Sequence, residues 1–160
     1  MSEKFEKSKA AGAHKQLERF TGEWEGTTKT WFEPDKLADE SPMKGTIKSI
    51  LGGQFVQYDY QGTMGGKPFE GVMLLGHQLS SGEFKSAWVD SFHTGTDIMY
   101  SKGKSDAFNV LGSYAYGDQH WGWRTTMEMN GDDELIITMY NITPEGQEAK
   151  GVETRYKRKK

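Results

Sequence analysis

Trp121-Gly122-Trp123-Arg124-Thr125-Thr126-Met127-Glu128-Met129, followed at once by Asn130-Gly131-Asp132, is the stretch on which the fold turns. Trp121, Trp123, Thr125, Met127 and Met129 fall on one side of a period of two, with Gly122, Arg124, Thr126 and Glu128 on the other. Side chains two apart share a face of a strand, so the segment reads as a strand with one largely apolar face, ended by a tight turn. The same alternation recurs along the chain. Phe69, Met73 and Leu75 share a face with Gly71 and His77, and Phe84 and Trp88 share one with Ser86 and Asp90.

Turn clusters at Gly52-Gly53, Met64-Gly65-Gly66, Ser80-Ser81-Gly82, His93-Thr94-Gly95, Lys102-Gly103-Lys104, Gly117-Asp118, Asn130-Gly131-Asp132 and Pro144-Glu145-Gly146 punctuate it about every dozen residues, the rhythm of an antiparallel meander. Ten strands follow, near 22–32, 43–51, 54–61, 67–77, 83–91, 96–101, 106–116, 121–129, 134–142 and 147–157. The polar stretch 33–42 reads as the longest connection, bordering an opening. Ala10, Ala13, Leu17 and Phe20 lie at helical spacing, so 10–20 reads as one short helix stopped by Gly22, with 1–9 flexible before it. One helix cannot cover the faces and edges of a flat ten-stranded sheet. The expected fold is therefore all-β: a closed or nearly closed antiparallel up-and-down barrel over 22–157, a single domain spanning 1–160.

Composition agrees. Only 34% of the 160 residues are hydrophobic, but 8 Phe, 7 Tyr and 5 Trp bring large buried areas, and 20 glycines against 4 prolines suit many turns and few helices. Apolar runs such as Val72 to Leu75 are far shorter than the roughly 20 residues of a membrane helix, so no membrane partner is expected. The start of the chain, Ser2-Glu3-Lys4-Phe5-Glu6-Lys7, is mixed in charge with no apolar signal core after it, and there is no cysteine, so a cytoplasmic location is expected. Net charge is -3, more acidic still without the basic tail Lys157 to Lys160, which argues against nucleic acid as a partner.

Phe20-Thr21-Gly22-Glu23-Trp24-Glu25-Gly26, after a helix and opening the first strand, is similar to the Gly-x-Trp start of the calycins: lipocalins, fatty-acid-binding proteins and nitrobindin-like domains. The resemblance implies a structural Trp24 at the closed end of a barrel with a late-strand arginine across its ring, Arg155 first and Arg124 second. A wider pattern includes His14-x-x-Leu17, Ile50-Leu51-Gly52-Gly53-Gln54-Phe55, Pro68-Phe69-Glu70-Gly71, Leu75-Gly76, Trp88-Val89-Asp90-Ser91 and Arg155-Tyr156. It resembles the bacterial domain of unknown function 1579 over nearly the whole chain, which implies the barrel and no particular chemistry. Nitrobindin-like barrels bind haem through a late-strand histidine; this chain has no histidine after His120, so haem is not expected.

An interior of aromatic and aliphatic walls with scattered polar groups is the make-up of a small-molecule cavity. The expected ligand-binding face carries Phe69, Met73, His77, Trp88, Asp90 and Trp123, and its partner is a small apolar or amphipathic molecule to be carried, stored or sensed. Tyr58, Tyr60, Tyr114 and Tyr116 could add hydroxyls at a barrel mouth. Two rival readings stand beside it: an enzyme using Asp90 or His93 as acid or base, and an interaction module with a filled core. Burial beside Trp88 would raise the Asp90 pKa, whereas hydrogen bonds from the following turn would make it structural. Strand parity puts His93 on the face opposite Asp90. His14, His77, His93 and His120 lack the i, i+2 or i, i+4 spacing of paired ligands, so neither a metal nor any other cofactor is expected. Oligomeric state is left open.

Overall fold

The computed structural model describes residues 2–160. Two helices, α1 (Glu3–Ala11) and α2 (Ala13–Arg19), precede ten strands: β1 (Gly22–Glu33), β2 (Lys36–Ile50), β3 (Phe55–Met64), β4 (Lys67–Gln78), β5 (Glu83–Asp90), β6 (Met99–Gly103), β7 (Asn109–Tyr116), β8 (Gln119–Asn130), β9 (Glu134–Ile142) and β10 (Glu148–Arg158). Each strand pairs antiparallel with its sequence neighbours, and β10 returns to β1 to close the barrel. The period-two pattern is realised directly. Phe69, Gly71, Met73 and Leu75 of β4 are buried while Glu70, Val72 and Leu74 face out.

Three sequence expectations are corrected. Residues 33–42 are not a long connection: β1 and β2 form a long hairpin turning at Pro34–Asp35, where Asp35 takes φ 60, with Thr30 opposite Asp39 and Lys29 opposite Glu40. Its tip is solvated on both faces, so no apolar alternation marks it. Where a flexible lead is expected over 1–9, Glu3–Ala11 form α1; Met1 lies outside the described residues. Ser2 Oγ caps α1 by accepting from the Phe5 amide at 3.2 Å, Glu3 and Glu6 sit in the first turn, and Phe5 is buried. Gly12 separates α1 from α2, and Ser8 Oγ crosses the break to His14, accepting from its amide at 3.1 Å and bonding Nδ1 at 2.8 Å. A single buried aromatic anchors α1, too little for helical periodicity to show.

The third correction concerns the arginine over Trp24. Trp24 is buried, its Nε1–H donating to the Phe20 carbonyl at 2.9 Å, and Arg158 covers its ring with the guanidinium carbon 4.4 Å from the centroid. The reason is parity. Thr154, Tyr156 and Arg158 share the inward face of β10, and Arg158 stands opposite Trp24 in the ladder, whereas Arg155 points outward and donates to Glu153 at 3.0 Å. Arg124 lies elsewhere, over the Tyr140 ring and paired with Glu148. Arg158 also donates to the Thr21 carbonyl at 2.6 Å and the Asp132 carbonyl at 3.0 Å, tying the last strand to the chain ahead of the first. A Cβ on Gly22 would lie 2.4 Å from the Arg158 Nη1, so glycine makes room for this clasp.

Leu17, Phe20, Ile47, Phe84, Phe108, Leu135 and Tyr156 are buried in the same core as Trp24. The ladder is thinnest between β6 and β7, where Lys102 pairs with Leu111. β6 begins only at Met99 because the chain from Ser91 to Ile98 is spent on a turn.

Trp24→Ala is expected to lose about 3–5 kcal/mol of stability in urea unfolding. Arg158→Ala should also destabilise, while Arg155→Ala stays within about 0.5 kcal/mol of the parent, as exposed substitutions do. A second test concerns pH. Burial lowers the pKa of both His14 and His77 from 6.5, with mutual repulsion adding to the effect on His14. The unfolded chain therefore binds more protons, and stability that is full above 6.5 is lost as pH falls towards the lowered folded values. Urea midpoints should drop from about pH 7 to about pH 5, with a shallower slope in His77→Phe.

Candidate functional site

At the end of the barrel away from the helices the interior is hollow. A cavity of about 250 Å³ is lined by Thr30, Trp31 and Phe32 of β1, Trp88 of β5, Phe92 and His93 of the turn after it, and Met99, Tyr114, Trp123, Asn141 and Gly151 from β6 to β10. Trp88 and Trp123 stack at 5.8 Å with 19° between their planes, and the His93 ring lies 5.4 Å from Trp88 and 5.9 Å from Trp123. A Cβ on Gly151 would come within 3.3 Å of the Trp123 ring, so glycine leaves the indole its place. At the mouth Phe32 and Phe92, 66% and 43% exposed, stack on each other at 6.1 Å.

Behind the cavity wall lies a buried carboxylate. Asp90 ends β5, and its Oδ1 accepts from the amides of Phe92 (3.0 Å), His93 and Thr94 (3.3 Å). Thr94 Oγ1 accepts from the Asp90 amide at 2.9 Å and donates to its carbonyl at 3.1 Å. An aspartate that draws three following amides onto one oxygen bends the chain back sharply. Strand parity therefore stops applying at Asp90: His93 swings round and its Nδ1 reaches Asp90 Oδ2 at 2.7 Å. Oδ2 also accepts from the Tyr60 hydroxyl at 2.8 Å, which in turn accepts from Trp88 Nε1–H at 2.7 Å. The space for this relay comes from Gly71, whose Cβ would lie 2.3 Å from the Tyr60 hydroxyl and 2.6 Å from Asp90 Cβ.

Both readings of Asp90 thus meet in one residue, since it holds the turn and also holds His93. The expected direction of its pKa is corrected. Burial is the largest single influence and pushes it up, but the hydrogen bond and charge of His93, then Tyr60 and the backbone amide, outweigh it and leave the carboxyl below 3.8. Tyr60 is driven well above 10 by burial and by the Asp90 charge, so it remains a hydroxyl donor. A carboxylate can only accept, so the proton between the two side chains sits on His93 Nδ1. Among the described residues His93 Nε2 has no partner, and neither do Thr30 Oγ1 and Trp123 Nε1, all three buried and all on residues lining the same cavity.

The structure brings Trp88, Trp123 and His93 to the cavity, with Asp90 one hydrogen bond behind. Phe69 supports the wall from below, 6.3 Å from both Phe92 and His93, and Met73 is buried opposite Trp88 in the β4–β5 ladder. His77 is elsewhere: it packs on Phe84 at 4.8 Å and His14 at 6.0 Å at the helix-capped end, six residues along β4 from the Asp90 level. Of the tyrosines, Tyr114 lines the cavity and donates to Asn141, Tyr58 pairs with Tyr156 at 2.6 Å in the core, and Tyr116 is exposed. Sequence reasoning did not single out Thr30, Trp31 and Phe32, which end the strand expected over 22–32 beside a stretch that reads as a connection, nor Phe92, which follows the strand expected over 83–91. Among the described residues no three metal-binding side chains cluster, and no helix is long and apolar enough to cross a membrane.

Residues 9–158 match the family described as protein of unknown function (DUF1579), and the chain belongs to it. An S-type phycobiliprotein lyase from Guillardia theta is similar in fold, with a TM-score of 0.58 and 11% identity over 97% of this chain and 97% of that one. A de novo designed fluorescence-activating β-barrel aligns with a TM-score of 0.49 and 14% identity over 89% of this chain and 96% of that one. No curated protein matches the chain.

Tyr60→Phe strands the Trp88 N–H and takes from Asp90 Oδ2 one of its two donors, and is expected to lower stability by about 1–3 kcal/mol. Gly71→Ala, which drives a methyl into the same relay, should cost a similar amount, about 1–3 kcal/mol. Chemical denaturation of the two single variants and the double variant checks both, and the shared relay should make the losses less than additive.

Proposed function

We propose that this protein binds a small, planar, largely apolar molecule in the cavity between Trp88, Trp123 and His93, to carry, store or sense it. One observation carries the reading. The end of the barrel away from the helices holds a cavity with two stacked indoles in its wall, and Thr30, His93 and Trp123 of its lining each carry a buried polar atom with no partner among the described residues. Leaving a buried donor or acceptor unpaired costs about 1–3 kcal/mol, so a fold selected only for stability has reason to fill or satisfy such a site. Aromatic walls with a few fixed polar groups are how small-molecule sites combine affinity with orientation. The volume, near the lower end of the usual range, suits a molecule of one or two rings.

An interaction module with a filled core is disfavoured by the same hollow. The likeness in fold to an S-type phycobiliprotein lyase accords with a binding role for this barrel without specifying its ligand. The absence of cysteine suits a reducing compartment, and we place the protein in the cytoplasm of a bacterium.

A ligand that binds only the folded chain raises the melting temperature by mass action. In a panel of one- and two-ring aromatics, fatty acids and tetrapyrroles, the one- and two-ring compounds should give the response. A shift of about 5–10 °C is expected at a hundredfold excess over Kd, with quenched indole emission. Trp88→Ala should remove most of both signals. No stabilisation by any member of the panel would refute the proposal.

A further inference from the structure

We infer that the ligand is a neutral, planar carbonyl compound, a ring ketone or quinone, whose oxygen accepts from the paired side chains of Tyr114 and Asn141. This rests on the cavity being a ligand site and adds the chemical class of its occupant.

Charge comes first. No lysine, arginine, aspartate or glutamate lines the cavity. His93 is the remaining group able to carry a positive charge, but its Nδ1 is bonded to Asp90 Oδ2 at 2.7 Å and its Nε2 is buried in the wall. A carboxylate, phosphate or ammonium ion would therefore shed its hydration with no counter-charge to receive it. The occupant is neutral. Thr30 Oγ1 and Trp123 Nε1 are buried in the same way as His93 Nε2, so a ligand must find its polar contact elsewhere.

Tyr114 and Asn141 offer it. Both line the cavity and both are only half-buried. They come from β7 and β9, on either side of β8, and their side chains are hydrogen-bonded to each other. Asn141 stands opposite Trp123 in the ladder, and the Tyr114 ring lies 6.3 Å from the Trp123 ring at 78° to it. The polar tips of the pair thus sit beside the indole wall on which a flat ligand would stack.

A count of hydrogens decides what the pair needs. A tyrosine hydroxyl carries one and a carboxamide two, and their mutual bond uses one, whichever residue donates it. Burial raises the Tyr114 pKa above 10.0, so the hydroxyl keeps its hydrogen. Two hydrogens are left over, and neither side chain has another hydrogen-bond partner among the described residues. An idle N–H is rarer in folded proteins than an oxygen with a lone pair to spare, so what the pair lacks is an acceptor. Water can meet that need until a ligand covers the pair; then the ligand must bring the acceptor itself. A carbonyl oxygen only accepts, and conjugation holds it in the plane of its ring. A ring stacked on the indoles therefore presents that oxygen at its edge, where Tyr114 stands. A hydroxyl would add a further hydrogen to a pair that already has two unused.

The probes are three two-ring compounds of nearly one shape: α-tetralone, which is a ketone, α-tetralol, its alcohol, and tetralin, the parent hydrocarbon. The intact protein should bind α-tetralone more tightly than α-tetralol. Infrared difference spectra should place the carbonyl stretch of bound α-tetralone at lower wavenumber than in hexane, because a hydrogen bond weakens the C=O bond. In the double variant Tyr114→Phe/Asn141→Leu the covered carbonyl has no donor, so its affinity relative to tetralin should fall by about fivefold or more. Tetralin binding by that variant shows that barrel and cavity persist, and the infrared measurement needs no variant at all. A carbonyl stretch as high as in hexane would overturn the inference, as would α-tetralol binding as tightly as the ketone. So would a relative affinity unchanged in the double variant, or tighter binding of a tetralin carboxylate. If tetralin still raises the melting temperature in those cases, the cavity remains a ligand site. If none of these probes nor any other aromatic binds, both the inference and the proposed function fall.

Discussion

The ladder between β1 and β10, running from Trp24 opposite Arg158 to Thr30 opposite Val152, is the contact on which everything else depends. Without it ten strands would form a sheet with two unpaired edges and no inside. With it, every strand has two neighbours, and the inward face of each becomes part of one enclosed volume. The clasp of Arg158 on Trp24 sits at one end of this ladder and Thr30, in the cavity wall, at the other. The seam that closes the barrel therefore joins its filled end to its hollow end.

That the two ends differ follows from what plugs them. The helical pair brings Leu17 and Phe20 into one end, where Phe20 meets Phe108, which in turn packs on Phe84. At the other end the strands converge with large, flat side chains that stack on one another and leave a gap. Rings held by stacking and by single hydrogen bonds, such as Trp88 on Tyr60, keep such a gap open more readily than branched aliphatic chains would.

The buried Asp90 carboxylate is costly to desolvate, and its surroundings answer that cost. Donors from Phe92, His93, Thr94 and Tyr60 all converge on it. A buried charge with one donor missing would destabilise the fold, so the group is either fully supported or absent. Full support has a consequence for the site: the same hydrogen bonds that make Asp90 tolerable also fix the turn from Ser91 onward and hold the His93 ring against Trp88 and Trp123. Structure and chemistry here share one set of atoms.

Ten strands, their direction, their inward faces and the closed barrel were all legible in the sequence, because a half-buried strand must alternate and turns need particular residues. Trp88 and Trp123 were legible as interior for the same reason, and so was Trp24 at the start of the first strand. Local patterning does not carry which inward residues share a level of the barrel. Phe69, Met73 and His77 lie on one face of β4, yet His77 is at the helix-capped end and Phe69 beneath the cavity, since a strand of this length crosses the whole molecule. Choosing Arg158 over Arg155 required the register of β10 against β1, which is a long-range property. The meeting of His93 with Asp90 required the turn itself, whose hydrogen bonds break the alternation from which sequence reasoning proceeds. The sequence by itself determined which residues face inward, because period two is a local consequence of backbone geometry. Only the tertiary structure decided which of them touch, because stagger, closure and the bend at Asp90 are set by contacts between segments far apart in the chain.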